Sequence, residues 1–205
     1  MYKSNLADTH IFSQEEKMSY IWHYDSPVGK ITMAENKDML TGLWFDGQKY
    51  FADRISKSSE EKKIPVFEET EKWLDIYFGG QEPDFIPPID MEGISPFRKR
   101  VWEIMLTIPY GKTRSYGSIA KQISSETGKR ASAQAVGGAV GHNSISIIIP
   151  CHRVVGENGN LTGYAGGIDK KIMLLKIENA DFEKLFIPQK NLSVKIKRNI
   201  RARIS

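Results

Sequence analysis

Alternating strand-like segments fill the first part of the chain, and stripes with helical spacing fill most of the rest. Residues 20–24, 30–34 and 40–45 are rich in aromatic and β-branched side chains. Pro27, Gly29 and a turn at 36–38 separate them, which predicts three strands. The period then changes. Trp73, Leu74, Tyr77 and Phe78 fall on one side of a helix over residues 68–78, which Gly79 and Gly80 stop. Residues 81–93 carry four acids and three prolines and read as a linker.

Beyond residue 90 the pattern is helical. Ser95 followed by Pro96 opens a helix with a buried stripe of Phe97, Val101, Ile104 and Met105, leaving Arg98, Lys99 and Arg100 near the surface. Ser115 caps a second helix to about residue 123, residues 124–130 read as a loop, and a third helix covers 131–140. Two short helices so joined, with Lys112, Arg114, Lys121, Lys129 and Arg130 around them, suggest a helix-turn-helix. The third helix offers little but Ala, Gly, Ser and Val, too short to read bases across a major groove. Its adjacent Gly137 and Gly138 fit either a close approach to DNA or tight packing between helices. Ile147, Ile148 and Ile149 read as a short strand that stops at Pro150.

Charge divides the chain at the same place. Residues 1–97 carry 10 Lys+Arg against 18 Asp+Glu, and residues 98–205 carry 19 against 7, balances of −8 and +12 within the net +4. The second half is therefore built to meet a polyanion, or else to attract the first half. Hydrophobic content of 40% is ordinary for a globular chain. No apolar run reaches the roughly 20 residues that cross a bilayer, and residues 1–17 lack the apolar core of an export signal. A cytoplasmic protein that does not engage membrane is expected, with residues 1–17 as an extension, 18–90 and 91–187 as two modules and 188–205 as a basic tail.

The candidate chemistry lies at Cys151, the only cysteine. A lone thiol forms no internal disulfide, and without a histidine cluster it makes a poor zinc site, so no metal is expected. It is either a buried hydrophobe or a nucleophile. At the end of a strand it would be reachable from a pocket, and His152 beside it could hold a proton and favour the thiolate. A cysteine hydrolase fits those two residues but leaves the basic half unexplained. His23, between Trp22 and Tyr24, reads as structural.

The run Pro150-Cys151-His152-Arg153-Val154 resembles the active-site signature of the 6-O-alkylguanine-DNA alkyltransferases. The likeness continues upstream through Ser115-Tyr116-Gly117 and Ala135-Val136-Gly137-Gly138-Ala139 to Asn143. Downstream it runs through Gly163-Tyr164-Ala165-Gly166-Gly167 and Leu174-Leu175 to Glu178. Residues 25–29 resemble the opening of that family's first domain. The resemblance implies an α+β protein: a small ribonuclease H-like module of sheet and helix, then a mainly helical module with a winged-helix-like helix-turn-helix. It implies a monomer that needs no cofactor, because the alkyl donor is the double-stranded DNA itself.

The activity so implied is direct reversal of damage. Alkylated guanine, and 4-O-methylthymine with it, is flipped out of the duplex and its alkyl group moves irreversibly to the protein, because the alkylated oxygen lies inside the base stack. By this resemblance Cys151 is the acceptor, His152 the base acting through a water, and Glu178 the group that orients His152. Asn143 takes the hinge position, Tyr116 lies near the flipped base and helps protonate it, the Cys151 and Val154 carbonyls receive the guanine amino group, and Tyr164 forms a pocket wall. Arg153 reads as loop support. Two positions depart from the family pattern: Gln134 stands where many members have an arginine that fills the gap in the stack, and Ala165 where some have a serine. Cys151 argues against a lesion sensor without an acceptor thiol, and residues 1–90 hold no cysteine for a methyl-responsive regulator.

Residues 188–205 hold six Lys+Arg and no acid. Each phosphate such an arm neutralises steepens the plot of log affinity against log salt by about 0.9. Truncation after Ile187 is expected to flatten that slope and leave the transfer rate at saturating DNA intact; an unchanged slope would assign the tail to solvent.

Overall fold

The computed structural model describes residues 19–53, 55 and 58–187, so the expected extension at 1–17 and the basic tail at 188–205 lie outside the described residues. Strands β1 (Tyr20–Ser26), β2 (Gly29–Asn36) and β3 (Met39–Phe45) form the expected antiparallel meander. Lys37 and Asp38 both take positive φ between β2 and β3, the backbone that matches the twist of a tight hairpin. A two-residue strand β4 (Glu60–Glu61) adds parallel to β1, giving the order β3-β2-β1-β4. Helix α1 (Pro65–Phe78) lies on this sheet with Val66, Phe67, Thr70, Trp73, Leu74 and Tyr77 buried. It starts earlier than the apolar stripe suggests because Pro65 can open a helix at no hydrogen-bond cost.

The linker at 81–93 is bound to the sheet. Leu40 pairs with Ile89 and exchanges backbone bonds with Pro88 and Asp90, while the Trp73 indole donates to Phe85 O at 2.9 Å. Its prolines mark an edge segment whose few N–H groups are placed where the sheet can use them.

Helix α2 (Pro96–Leu106) is capped by Ser95, whose Oγ accepts from Arg98 N, and α3 (Tyr116–Thr127) by Ser115, whose Oγ accepts from Ser118 N. The expected loop at 124–130 is mostly helix. The Ser124 and Thr127 hydroxyls donate back to the Ala120 and Ile123 carbonyls, so these polar residues continue the helix until Gly128 closes it at φ +66. Helix α4 (Ala133–Gly141) is capped by Ser132 and packs on α2 and α3 with Val136, Ala139 and Val140 buried; the Trp102 indole donates to Ala139 O. Arg100 fastens α2 to α3 through Glu126 at 2.7–2.8 Å. Short parallel strands β5 (Arg114–Ser115) and β6 (Val154–Val155), and helix α5 (Ile168–Ile177), complete the second module.

The three isoleucines form no strand. Residues 146–149 are turns, with Ile147 at φ +70 and Ile149 N bonded to Ile145 O. They are apolar because all three are buried, and burial alone produces such a run whatever the backbone does. Just before them Ile145 pairs with Leu43 of β3, and Ser146 N donates to Leu43 O. The same hydrophobic cluster runs from Ile31 and Phe45 through Phe67 and Tyr77 to Val101, Ile104, Ile145 and Val154. The two modules share one core.

Leu43→Ala is expected to cost about 2–5 kcal/mol and to lower the urea midpoints of both modules together, read by near-ultraviolet and far-ultraviolet circular dichroism. Two separated transitions would contradict the shared core.

Candidate active site

Cys151 opens a short 3₁₀ turn, Cys151–Arg153, that follows Pro150. Asn143 Nδ2 donates to its Sγ at 3.1 Å, and to Ile149 O at 2.7 Å, while Asn143 Oδ1 accepts from Ile145 N. Asn143 thus ties the end of α4 to the turn that carries the thiol. Burial pushes the Cys151 thiol up, against the pull of the Asn143 hydrogen bond and the Lys171 charge. The resting group is therefore a thiol, which needs a base to become the thiolate. The structure records no hydrogen bond between the Cys151 sulfur and the His152 ring, because successive residues of the turn point their side chains in different directions.

His152 points into the core. Its Nε2 lies 2.6 Å from Glu178 Oε1, and its buried Nδ1 has no hydrogen-bond partner among the described residues. Glu178, the residue after α5, receives much more than this. Arg153 Nε donates to Oε2 at 2.9 Å and Arg153 Nη2 to Oε1 at 3.1 Å; Tyr77 Oη donates to Oε1 at 2.8 Å and Gly111 N to Oε2 at 3.0 Å. Burial favours the acid form of Glu178, but attraction to the His152 ring whenever that ring is protonated, the hydrogen bonds of His152 and Arg153 and the Arg153 charge outweigh it and bring the carboxyl down to about 2. Burial likewise pushes the His152 imidazole down, more than Glu178 raises it. With Arg153 already neutralising Glu178, the imidazole is uncharged at neutral pH, donates through Nε2–H and keeps a lone pair on Nδ1. Gly111 is required here: it sits at φ +69, and a Cβ on it would meet Glu178 O at 2.5 Å.

The thiol opens on a cavity of about 440 Å³. Its walls include Tyr116 from α3, Gly137 and Gly138 from α4, and Thr162 to Ala165 from the loop before α5. Gly138 has nothing within 4 Å of a Cβ built on it and leaves room in the cavity, whereas a Cβ on Gly137 would meet the Tyr116 ring of α3 at 4.0 Å. Tyr116 Oη donates to Gly163 O at 3.2 Å, and burial next to Cys151 raises its hydroxyl to about 12. Burial also holds the Tyr164 hydroxyl well above its usual range.

Of the expected site residues, Cys151, Tyr116 and Tyr164 meet at the cavity, while Asn143, His152 and Glu178 stand behind it. Val154 is fully buried and its carbonyl accepts from Lys171 Nζ at 2.6 Å, which leaves one lone pair. Gln134 is exposed on the outer side of α4, as are Ser132, Ala133, Ala135, Lys129 and Arg130 nearby. Three residues were missed. Tyr77 reaches Glu178 from the first module, Arg153 binds Glu178 rather than merely bracing its own loop, and Lys171 is fully buried between the Val154 and Thr162 carbonyls. Burial brings the Lys171 ammonium down to about 8. Two of the three had a signal: a tyrosine in a buried stripe needs a partner for its hydroxyl, and Lys171 stands three residues before Leu174 on the buried side of α5.

Residues 20–91 match the model of the 6-O-methylguanine DNA methyltransferase ribonuclease-like domain, and residues 96–180 that of the 6-O-methylguanine DNA methyltransferase DNA-binding domain. The chain is 44% identical over 161 residues to the methylated-DNA–protein-cysteine methyltransferase of Mycobacterium tuberculosis, covering 77% of this chain and 93% of that one. With the constitutive enzyme of Bacillus subtilis it shares 37% over 169 residues, covering 81% and 99%. The crystal structure of Mycobacterium tuberculosis OGT in complex with DNA superposes with a TM-score of 0.67 at 41% identity, covering 81% of this chain and 94% of that one. The methyltransferase of Pyrococcus kodakaraensis gives 0.61 at 27%, covering 80% and 100%. A free thiol at the mouth of a cavity, backed by a buried His–Glu pair and set beside a helix-turn-helix, thus sits in a fold shared with these proteins over both modules, and the chain belongs to the family of methylated-DNA–protein-cysteine methyltransferases.

Proposed function

We propose that this chain reverses alkylation damage by taking the alkyl group of 6-O-alkylguanine, and of 4-O-methylthymine, onto Sγ of Cys151 in a single turnover. The observation that carries the assignment is the one free thiol opening on a cavity directly behind α4 of the helix-turn-helix. The relative crystallised with DNA supports duplex DNA as partner. The exposed Lys112, Lys121, Lys129 and Arg130 around α3 and α4 supply the cations for its backbone. A base flipped beside α4 reaches the thiol without crossing the core. Gln134 on the outer face of α4 would enter the gap it leaves, through an amide that carries no charge.

The chemistry follows from the buried network. The thiol proton passes, through a bridging water, to Nδ1 of His152, and the resulting imidazolium is held by the Glu178 anion. The thiolate attacks the alkyl carbon, a C–S bond forms, and the carbon–oxygen bond breaks with its electron pair moving to the guanine. Tyr116, whose raised hydroxyl remains protonated, donates to the departing base and regains a proton from the network. The net result moves the thiol proton to guanine and the alkyl group to sulfur. Lys171 acts as a positioning residue: it fixes the Val154 and Thr162 carbonyls, and its charge stabilises the thiolate. A reducing compartment such as the cytoplasm keeps the thiol available; no helix among the described residues is long and apolar enough to cross a membrane.

Cys151→Ala is expected to abolish alkyl uptake and leave duplex binding within about twofold, since phosphate contacts carry most of the affinity. Intact-mass measurement after exposure to methylated duplex checks it. A methyl group gained by the variant would move the acceptor elsewhere.

Glu178→Gln is expected to destabilise the fold by about 3–5 kcal/mol, because it leaves Arg153 buried without its partner. The Glu178 carboxyl falls from 4.5 to about 2 on folding. Its stabilisation is therefore complete above pH 4.5 and lost as pH drops towards 2. Urea midpoints of the parent should fall through that window, whereas those of the variant should fall less. Parallel curves for the two would show that the anion is not the anchor.

A further inference from the structure

The cavity has a side that does not come from the second module. The turn after β3 brings Lys49 and Tyr50 to its rim, where the Tyr50 ring stacks on His142 with centroids 4.1 Å apart and planes 22° from parallel. His142 directly follows α4 and precedes Asn143, the donor to the Cys151 sulfur. Its Nδ1 lies 2.7 Å from Gly138 O, which anchors the ring to the helix. Lys49 Nζ lies 4.8 Å from the Tyr50 centroid. One aromatic ring from each module therefore lines the cavity into which the thiol opens.

The backbone that presents Tyr50 is held at a cost. Tyr50 takes φ +61, the left-handed region that non-glycine residues avoid, and such conformations persist only where neighbouring contacts enforce them. Here the contacts come from the cavity's own surroundings. Gln48 Oε1 accepts from Phe45 N at 2.9 Å and from the Ser146 hydroxyl at 3.1 Å. Lys49 N donates to Ala165 O at 3.0 Å, and Ala165 is itself a cavity residue. The turn is pinned by Gln48 and Lys49 just before Tyr50 and by Phe51 N, which donates to Gln48 O at 3.2 Å, just after it, in the position that closes the stack.

We propose that the Tyr50–His142 pair is a specificity-determining wall of the alkyl-acceptor cavity, limiting the size of the group that reaches Cys151. The inference rests on the alkyl-transfer function proposed above. Because the two rings brace each other, loss of either opens the same space, and the ring of Tyr50 matters more than its hydroxyl.

The test compares single-turnover rate constants of the full chain on duplex DNA carrying 6-O-methylguanine or 6-O-benzylguanine, and on the free base 6-O-benzylguanine. Tyr50→Ala and His142→Ala are each expected to raise the benzyl-to-methyl ratio about tenfold, the scale on which a small change in an apolar pocket discriminates. Tyr50→Phe should keep the parent ratio, the double variant should gain no more than the larger single effect, and the free base should show the same gain as the duplex. An unchanged ratio in both alanine variants would overturn the wall, as would a gain on duplex that is absent with free base, which would make Tyr50 a DNA contact. A parent that takes no alkyl group from any substrate would instead overturn the function on which the wall rests.

Discussion

A carboxylate without water is unstable unless its charge and lone pairs are met, and Glu178 is such a group at the centre of this protein. Its four partners come from three places in the chain: His152 and Arg153 from the acceptor turn, Tyr77 from α1 of the first module, and Gly111 from the turn before α3. Arg153 supplies the compensating charge and also donates to Ile108 O at 2.7 Å, so the pair fixes the segment after α2 as well. The hydrogen bonds make the anion tolerable, and the anion in turn sets where the acceptor turn, α1 and the helix-turn-helix stand. Removing any one partner leaves a buried polar group unsatisfied, which is far costlier than a lost surface contact.

This anchor divides the catalytic work. Burial lowers the His152 imidazole more than Glu178 raises it, with Arg153 and Lys171 adding to the lowering, so the ring stays neutral and able to take a proton. Cys151 stays protonated in the resting state for the same reason, burial, although Asn143 and Lys171 favour the thiolate once the proton leaves. On the proposed function, a thiol that reacts only once its proton is relayed is a restrained nucleophile. For a methylated-DNA–protein-cysteine methyltransferase, whose acceptor is consumed in use, that restraint has a clear value.

The first module serves the site by contact as well as by scaffolding. Lys63–Glu71 is an ion pair within it and Lys37–Glu92 ties it to the segment that follows, while Leu43–Ile145, Ser144–Thr41 and Tyr77–Glu178 link it to the basic half by apolar contact and hydrogen bonds. The exposed cations near α3 and α4 remain available for a polyanion, as the charge division along the chain suggests.

Much of the fold was legible in the sequence because strands, helices and caps are local. Alternation over residues 20–45, the Ser95 and Ser115 caps and the Trp73–Tyr77 stripe depend on neighbours a few residues away, and they appear where the pattern places them. The acceptor Cys151 stood out because it is the only thiol and lies within a residue series resembling a known family. What local pattern could not distinguish was burial from extension, so Ile147 to Ile149 were read as a strand, or polar helix from loop, so the end of α3 was cut short at Ser124. Nor could it show which way a side chain points. Adjacency in sequence put His152 beside Cys151, yet the tertiary structure turns one into the core and the other into the cavity. Tyr77 and Glu178, 101 residues apart, meet only because the two modules share a core. Chain order and local pattern suffice for the elements, the charge division and the one candidate thiol; the surroundings of that thiol, the buried Glu178 anion and the cavity walls follow only from folding, because they are contacts between residues that chain order keeps far apart.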